Sequence, residues 1–325
     1  MCYTESNSGA QSAVHWQGSF ERKIPYDAVL AADPADRGWK DRRDHVTGSK
    51  SVNGNARKVE GWVIMKKILF VASEAVPFIK TGGLADVVGS LPKCFDKEYF
   101  DVRVMIPKYL CIKDKFLSNL TYVNHFYMDY LGQSRYVGIL EYVYEGITFY
   151  FIDNESYFWG DKPYGDWYYD LEKFSFFSQA ALSALPVIGW RPDVIHCHGW
   201  ISALTALYIK RMYADDPCLK NAKIVYSIYN DDFKTPLRKE LAQKLKTDGA
   251  KDSDLKGIKA DTSFVGLTKL AIDMADGVIQ GSETINQDVL DYIATKKDTP
   301  FLPYQSPETY MDAFNEFYDV VLDSK

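Results

Sequence analysis

The chain has 325 residues, 46% hydrophobic and 25% charged, with a formal net charge of −6, a balance that excludes a fibre or a largely disordered array and leaves enough length for a sizeable core. It carries no block of like charges and no basic stripe, so neither nucleic acid nor an anionic membrane is an expected partner, and no apolar run reaches the length of a membrane span. Its five scattered cysteines include no C-x-x-C pair and its first residues lack the order of a signal peptide, which reads as reduced thiols in a cytoplasm.

Residues 1 to 64 are rich in Ser, Gly, Asn, Asp and Arg and show no sustained apolar periodicity, so the expectation for 1–64 is a disordered extension. The abrupt start of an apolar run at Met65 gives that segment the look of an addition upstream of a natural start. From Met65 to Lys325, strand and helix patterns alternate. That alternation predicts an α/β fold: a Rossmann-like, open, mostly parallel sheet with helices on both faces, forming one domain over 65–325.

Lys66 to Ser73 reads as the first strand, and Leu84, Val87, Val88 and Leu91 have helical spacing. Asp101 to Ile106 is the next strand, closed by Pro107. Tyr136 to Tyr144 and Ile147 to Ile152 read as a hairpin turning at Glu145-Gly146. The aromatic stretch 157–169 is loop-like, and helical spacing returns from Leu171 to Leu185. Strands follow at Asp193 to Cys197 and Lys223 to Tyr229, with a helix between them at Trp200 to Met212. Residues 230–260 read as a charged excursion over the sheet edge, with a helix near Leu237 to Leu245. After it come a helix with Phe264, Leu267, Leu270, Ala271 and Met274 on one face, a short strand at 276–282, and an edge strand at 300–304. The last helix is expected to be capped by Ser306-Pro307 and to bury Tyr310, Phe314, Phe317, Tyr318 and Val321.

Between the first strand and first helix lies Lys80-Thr81-Gly82-Gly83-Leu84-Ala85-Asp86-Val87. Glycines at a strand-to-helix turn let the backbone approach a ligand, and the new helix offers N–H groups suited to a phosphate, with Lys80 adding a full charge. The same glycines could also serve only to make a tight turn. Together with Glu74 and Pro77, this string resembles the N-terminal signature of bacterial glycogen synthases and plant starch synthases, retaining glycosyltransferases that use ADP-glucose. The resemblance implies the N-terminal half of a GT-B fold, with Lys80, Gly82 and Gly83 near the donor's phosphates and sugar, and no cofactor and no metal.

Two further stretches resemble that family. Asp193-Val194-Ile195-His196-Cys197-His198-Gly199-Trp200 matches its strand-end pattern, with His198 at the position of the sugar-contacting histidine and Gly199 where the family has aspartate. Without the resemblance, two histidines flanking a cysteine are as well explained by packing. Tyr226 to Asn230 matches a strand ending in histidine-asparagine, with Tyr229 replacing the histidine; Asn230 could bind a sugar hydroxyl or cap the turn into Asp231-Asp232. Asp170, ahead of Leu171-Glu172-Lys173-Phe174, matches a cleft aspartate of the family, or is a helix-start acid facing the dipole.

The resemblance implies a glucosyltransferase acting from ADP-glucose onto an α-1,4-glucan, with His198 and Asp170 in the catalytic region and Lys80, Gly82, Gly83 and Asn230 binding substrate. Full-length members add a second Rossmann domain carrying the nucleotide pocket, so the cleft of this chain would be completed by another chain. The alternative is a catalytically incomplete glucan- or nucleotide-sugar-binding or regulatory homologue, which the departures at Gly199 and Tyr229 favour.

Overall fold

The structure is a computed structural model that describes residues 58–59, 62–63, 65–165 and 167–324. Strands β1 (Lys58–Val59) and β2 (Trp62–Val63) pair as a two-stranded antiparallel ladder. The rest of the expected extension over 1–64 lies outside the described residues. β3 (Lys66–Val71) follows, buried without exception from Ile68 to Val71. Its run of apolar residues on both faces is what a central parallel strand requires.

After β3 come helix α1 (Gly83–Cys94), strand β4 (Phe100–Pro107) and the short helix α2 (Asp114–Leu117). Strands β5 (Thr121–Tyr130), β6 (Gln133–Tyr144) and β7 (Ile147–Asp153) form a meander. Helix α3 (Trp167–Ile188) and strand β8 (Val194–His198) lead through a 3-10 turn at Trp200–Ser202 into helix α4 (Ala203–Lys210). Strand β9 (Lys223–Ile228) precedes α5 (Leu241–Thr247), α6 (Lys256–Ala260) and α7 (Phe264–Met274). The described chain ends with β10 (Gly277–Gln280), α8 (Gln287–Ala294), β11 (Phe301–Leu302) and α9 (Tyr310–Asp323).

Nine of these strands make one sheet in the order β11-β10-β9-β8-β3-β4-β7-β6-β5. Every neighbouring pair from β11 to β7 is parallel, and β6 and β5 are added antiparallel at one edge. The expected open, mostly parallel sheet is therefore present. The hairpin turn is also where the sequence puts it: Glu145 and Gly146 both have positive φ, 50° and 78°, the two-residue turn whose twist matches the strands it joins. Two helical groups cover the sheet, α1 with α9 and α3 with α4 and α7.

The structure departs from expectation in several places, among them α8, which no expected element covers, and Tyr310, which is only half-buried. β5 is an additional strand; Asn124 and Asp129 interrupt its apolar pattern and its register shifts between Tyr122 and Asn124, so no period-2 signal marks it. The 230–260 excursion docks on the helical layer instead of the sheet edge: Tyr208 Oη donates to Asp248 at 2.7 Å, and Arg211 grips Asp254 through Nε at 2.6 Å and Nη2 at 2.7 Å. The last helix is not capped by Ser306-Pro307; that pair sits in a preceding turn whose Ser306 carbonyl accepts from Thr309 N–H at 3.0 Å, and Thr309 is the N-cap. Its buried face is nonetheless Phe314, Phe317, Tyr318 and Val321.

The first βα unit closes tightly because Gly89 lies against Val76. A Cβ at Gly89 would sit 2.4 Å from both Val76 Cγ2 and Val76 O, and the backbone atom cannot swing aside as a side chain can. Gly89→Ala is therefore expected to destabilise the fold by about 1–3 kcal/mol, measured as a shift in the urea midpoint at unchanged slope.

Candidate active site

A parallel sheet places the carboxyl ends of its strands along one edge, where ligands bind. β9, β8 and β3 are adjacent, so the glycine turn after β3, His198 at the end of β8 and Asn230 after β9 all gather at that edge. Lys80 stands beside the turn, exposed, with Nζ 2.6 Å from Asp86 Oδ2 in the first turn of α1. An exposed pair of this kind contributes little to stability, so the ammonium can exchange its carboxylate for another anion.

The glycines are not there to make a tight turn. Gly82 has φ −146° and ψ −172°, ordinary extended backbone, and Gly83 is the first helical residue. A Cβ on Gly83 would meet nothing within 4 Å, and one on Gly82 only Glu74 Oε1 at 3.8 Å. What the two glycines leave is open space over a helix N-terminus without a side-chain cap. Part of the donor set is already taken: the buried Glu74 carboxylate accepts the N–H of Thr81 and, at 3.2 Å, that of Gly82. Burial pushes Glu74 above the usual carboxylate range against these hydrogen bonds. The Thr81 hydroxyl meets Tyr164 Oη, whose own pKa burial raises to about 12.

His198 is fully buried. Its ring lies 3.9 Å from His196 and 4.5 Å from Phe70, centroid to centroid, and burial holds it neutral, down to about 3. Tyr229 places its hydroxyl 2.8 Å from His198 Nδ1. His198 Nε2 has no hydrogen-bond partner among the described residues. Both histidines are thus packed in the core, as the packing alternative required, and one of them keeps an unused nitrogen.

Asp170 is buried in the first turn of α3, where Oδ2 accepts the Gly165 N–H at 2.9 Å and Oδ1 lies 3.6 Å from Lys173 Nζ. It anchors the loop before its helix. It also belongs to the electrostatic surroundings of Tyr109, as do Glu74 and Tyr164; the buried Tyr109 hydroxyl has no hydrogen-bond partner. Asn230 is exposed, and its backbone N–H is held by Ser282 Oγ at 3.1 Å.

Asp231 also lies at this edge, where the sequence reading placed only a turn at Asp231-Asp232. Gly199 has φ +70° and ψ 175°, a combination confined essentially to glycine. A Cβ there would lie 2.6 Å from Leu84 Cδ1 and 2.7 Å from Asp231 Oδ2. A carboxylate that enters from the loop after β9 thus lies against the space at Gly199, and Asp231 Oδ1 is buried with no hydrogen-bond partner among the described residues. Trp200 packs on Phe233, Phe174 and Tyr164, at 4.8, 5.3 and 6.1 Å.

Next to Tyr164 opens a cavity of about 340 Å³, lined among others by Arg135, Tyr157, Trp159, Lys162 and Tyr169. Trp159 and Tyr169 are half exposed, at 53% and 50%. Among the described residues no group of three or more His, Cys, Asp or Glu could hold a metal, and no helix is long and apolar enough to cross a membrane.

Residues 67–298 match the family model described as the starch synthase catalytic domain. The chain belongs to that family. It is 55% identical over 166 residues to a glycogen synthase of Lachnospira eligens, a match covering 51% of this chain and 35% of that protein. It is 36% identical over 225 residues to a glycogen synthase of Desulforamulus reducens, covering 69% and 46%. The chain therefore spans less than half the length of these relatives. Among solved structures, the catalytic domain of starch synthase IV from Arabidopsis thaliana, bound to ADP and acarbose, superposes with a TM-score of 0.60 at 25% identity, covering 75% of this chain and 52% of that one. In this starch synthase-type domain, the Lys80–Val87 string sits at the carboxyl edge of the sheet, beside His198 and Asp231.

The Asp231 carboxylate has a pH signature. Burial pushes Asp231 up to about 7, whereas an unfolded aspartate titrates near 3.9. A raised acid favours the protonated folded form, so its contribution is complete below about pH 4 and is lost as pH rises through 7. Asp231→Asn should gain stability relative to the wild type across that window, with a limiting slope of about 1.4 kcal/mol per pH unit. Parallel unfolding curves from pH 4 to 8 would contradict the assignment.

Proposed function

We propose that this chain carries the N-terminal, sugar-facing half of a glycogen or starch synthase-type glucosyltransferase site, transferring glucose from ADP-glucose to an α-1,4-glucan. The observation that carries the reading is the open space over Gly82 and Gly83 at an uncapped helix N-terminus, with Lys80 beside it and the strand ends of β8 and β9 alongside. The ADP and acarbose bound to the starch synthase IV domain support a nucleotide and a glucan as ligand classes.

In this reading Lys80 leaves Asp86 for a donor phosphate, and the first N–H groups of α1 accept part of the departing diphosphate's charge. Transfer breaks the bond between the sugar's anomeric carbon and the phosphate oxygen and forms one to an acceptor hydroxyl, with positive charge developing on the sugar between the two. Asp170 supports the loop that carries Tyr164, and Asn230 lines the rim. The half-exposed Trp159 and Tyr169 beside the cavity offer flat faces on which glucose rings of an acceptor stack. Neutralising a diphosphate takes more positive charge than Lys80 supplies, so a second Rossmann domain, on another chain or another part of a longer protein, completes the cleft. The cytoplasm is the compartment that goes with these ligands and with scattered thiols.

A second reading, a glucan- or nucleotide-sugar-binding homologue without turnover, is favoured by the complete burial of His198 and by Gly199. Calorimetric titration of the full chain with ADP-glucose, ADP and maltooligosaccharide, alongside a glucose-transfer assay, separates the two. Binding with transfer supports the enzyme; binding without transfer, even after a C-terminal Rossmann domain of a full-length glycogen synthase is supplied, supports the second reading; and no binding removes both. Lys80→Ala should weaken ADP-glucose binding by about 1–3 kcal/mol, the range of a charge-assisted hydrogen bond, and leave the melting temperature unchanged because its ion pair is exposed. Trp159→Ala should weaken maltooligosaccharide and spare ADP; equal losses for both ligands would place the acceptor elsewhere.

A further inference from the structure

The cavity beside Tyr164 holds more positive charge than the fold around it satisfies. Among the described residues it is lined by the cations Arg135, Lys162 and Lys173 and by the carboxylates Asp161 and Glu172. Lys173 and Glu172 are already engaged. Lys173 Nζ donates to the Pro163 carbonyl at 3.0 Å and lies 3.6 Å from Asp170, and Glu172 lies 3.3 Å from Arg238. That leaves Arg135 and Lys162 against Asp161, and among the described residues neither cation forms an ion pair.

Arg135 lies on β6, half-buried, and its Nε is buried with no hydrogen-bond partner among the described residues. Its guanidinium carbon is 5.9 Å from the centre of the Tyr157 ring, and that ring is itself stacked on Phe176 at 4.2 Å and 17°. The aromatic pair gives the guanidinium a fixed wall on one side. A cation that gives up hydration without gaining a counter-charge costs stability, and an anion in the cavity removes that cost.

The rest of the wall selects the kind of anion. Trp159 and Tyr169, half exposed beside the two cations, offer flat faces suited to a sugar ring. The volume of about 340 Å³ falls at the small end of small-molecule sites. A planar guanidinium presents paired N–H donors that match two oxygens of a phosphate, and Lys162 adds a point charge from the loop.

We propose that this cavity binds a glucose unit that carries a phosphate monoester on the acceptor glucan, with Arg135 and Lys162 on the phosphate and Trp159 and Tyr169 on the ring. Asp161 is left to accept from sugar hydroxyls. The glucan rests on the proposed function; the sugar-phosphate site does not.

Calorimetric titration of the full chain with maltotriose, maltotriose bearing one 6-phosphate, glucose 6-phosphate and inorganic phosphate tests this. The phosphorylated maltotriose should bind about tenfold or more tightly than maltotriose, the gain of a charge-assisted hydrogen bond, and the gain should shrink as salt is raised. Equal affinities would overturn the inference. Arg135→Gln should bring the phosphorylated sugar down to the affinity of maltotriose while sparing maltotriose; an equal loss for both would make the arginine a support of the wall and overturn its role. If that variant does not fold, Lys162→Gln changes an exposed loop residue and should cut the preference about three- to fivefold, with an unchanged preference refuting the site. Glucose 6-phosphate bound as tightly as the phosphorylated maltotriose, with the same loss in Arg135→Gln, would keep the phosphate site and remove its link to a glucan. Inorganic phosphate bound as tightly as either would remove the sugar from the proposal. Failure of maltotriose to bind, beside an Arg135-dependent response to glucose 6-phosphate, would sink the acceptor reading and leave the anion site standing, whereas maltotriose binding with no preference for phosphate would sink this inference alone.

Discussion

Desolvation at the carboxyl edge of the sheet is the constraint around which this structure is arranged. β3 is buried on both faces and its neighbours β8 and β4 are nearly as dry, so any polar group carried to the ends of these strands arrives without water. Each has been given a partner from elsewhere in the chain. Glu74 takes backbone N–H groups from the glycine turn, His196 takes Tyr318 and Ser227, and His198 takes Tyr229. Three buried atoms at or past the ends of β4, β8 and β9 keep no hydrogen-bond partner among the described residues, Tyr109 Oη, His198 Nε2 and Asp231 Oδ1, and others lie elsewhere in the fold, such as Gln179 Nε2 and Thr268 Oγ1.

The contact between Gly199 and Asp231 follows from the same constraint. Gly199 caps the 3-10 turn in a conformation that excludes other residues, and a Cβ there would meet Asp231 Oδ2 at 2.7 Å and Leu84 Cδ1 at 2.6 Å. The glycine therefore leaves the space in which the Asp231 carboxylate, brought in by the loop after β9, is desolvated.

Sequence patterns are legible where burial is uniform. β3, β4, β8 and β9 show as apolar runs because both faces are covered, and the 145–146 turn shows because glycine and positive φ coincide. β5 is hidden because its exposed face carries a mix of Tyr, Asn and Asp, and α8 because it is eight residues long with only Val289 and Ile293 buried. At the site, Lys80, Gly82, Gly83 and His198 are legible through their short, fixed spacing to strand ends. The role of Asp231 is not, since it depends on a contact across the strand order with Gly199; the acidic pair Asp231-Asp232 just past a buried strand was the available signal, and it reads equally as a turn. The burial of His198 depends likewise on contacts between strands, since Phe70, His196 and Tyr229 pack around its ring from β3, β8 and the end of β9.

The chemistry of the edge also says which part of a nucleotide sugar it suits. Glu74 and Asp231 are carboxyl groups held above their usual range by burial. Together with His198, Tyr109 and Tyr164 they form a set of neutral or weakly charged donors and acceptors, suited to the alternating donors and acceptors of sugar hydroxyls. A diphosphate asks for the opposite, concentrated positive charge, and at the glycine turn it meets Lys80 already opposed by Asp86 and two N–H groups already given to Glu74. Bringing several negative charges to such a place without further cations is unfavourable even with water to screen them. Under the proposed function, this edge therefore suits the hydroxyl pattern of a sugar, and the helix N-terminus and Lys80 are an adjunct for the near end of a phosphate whose charge would be balanced chiefly from a second domain.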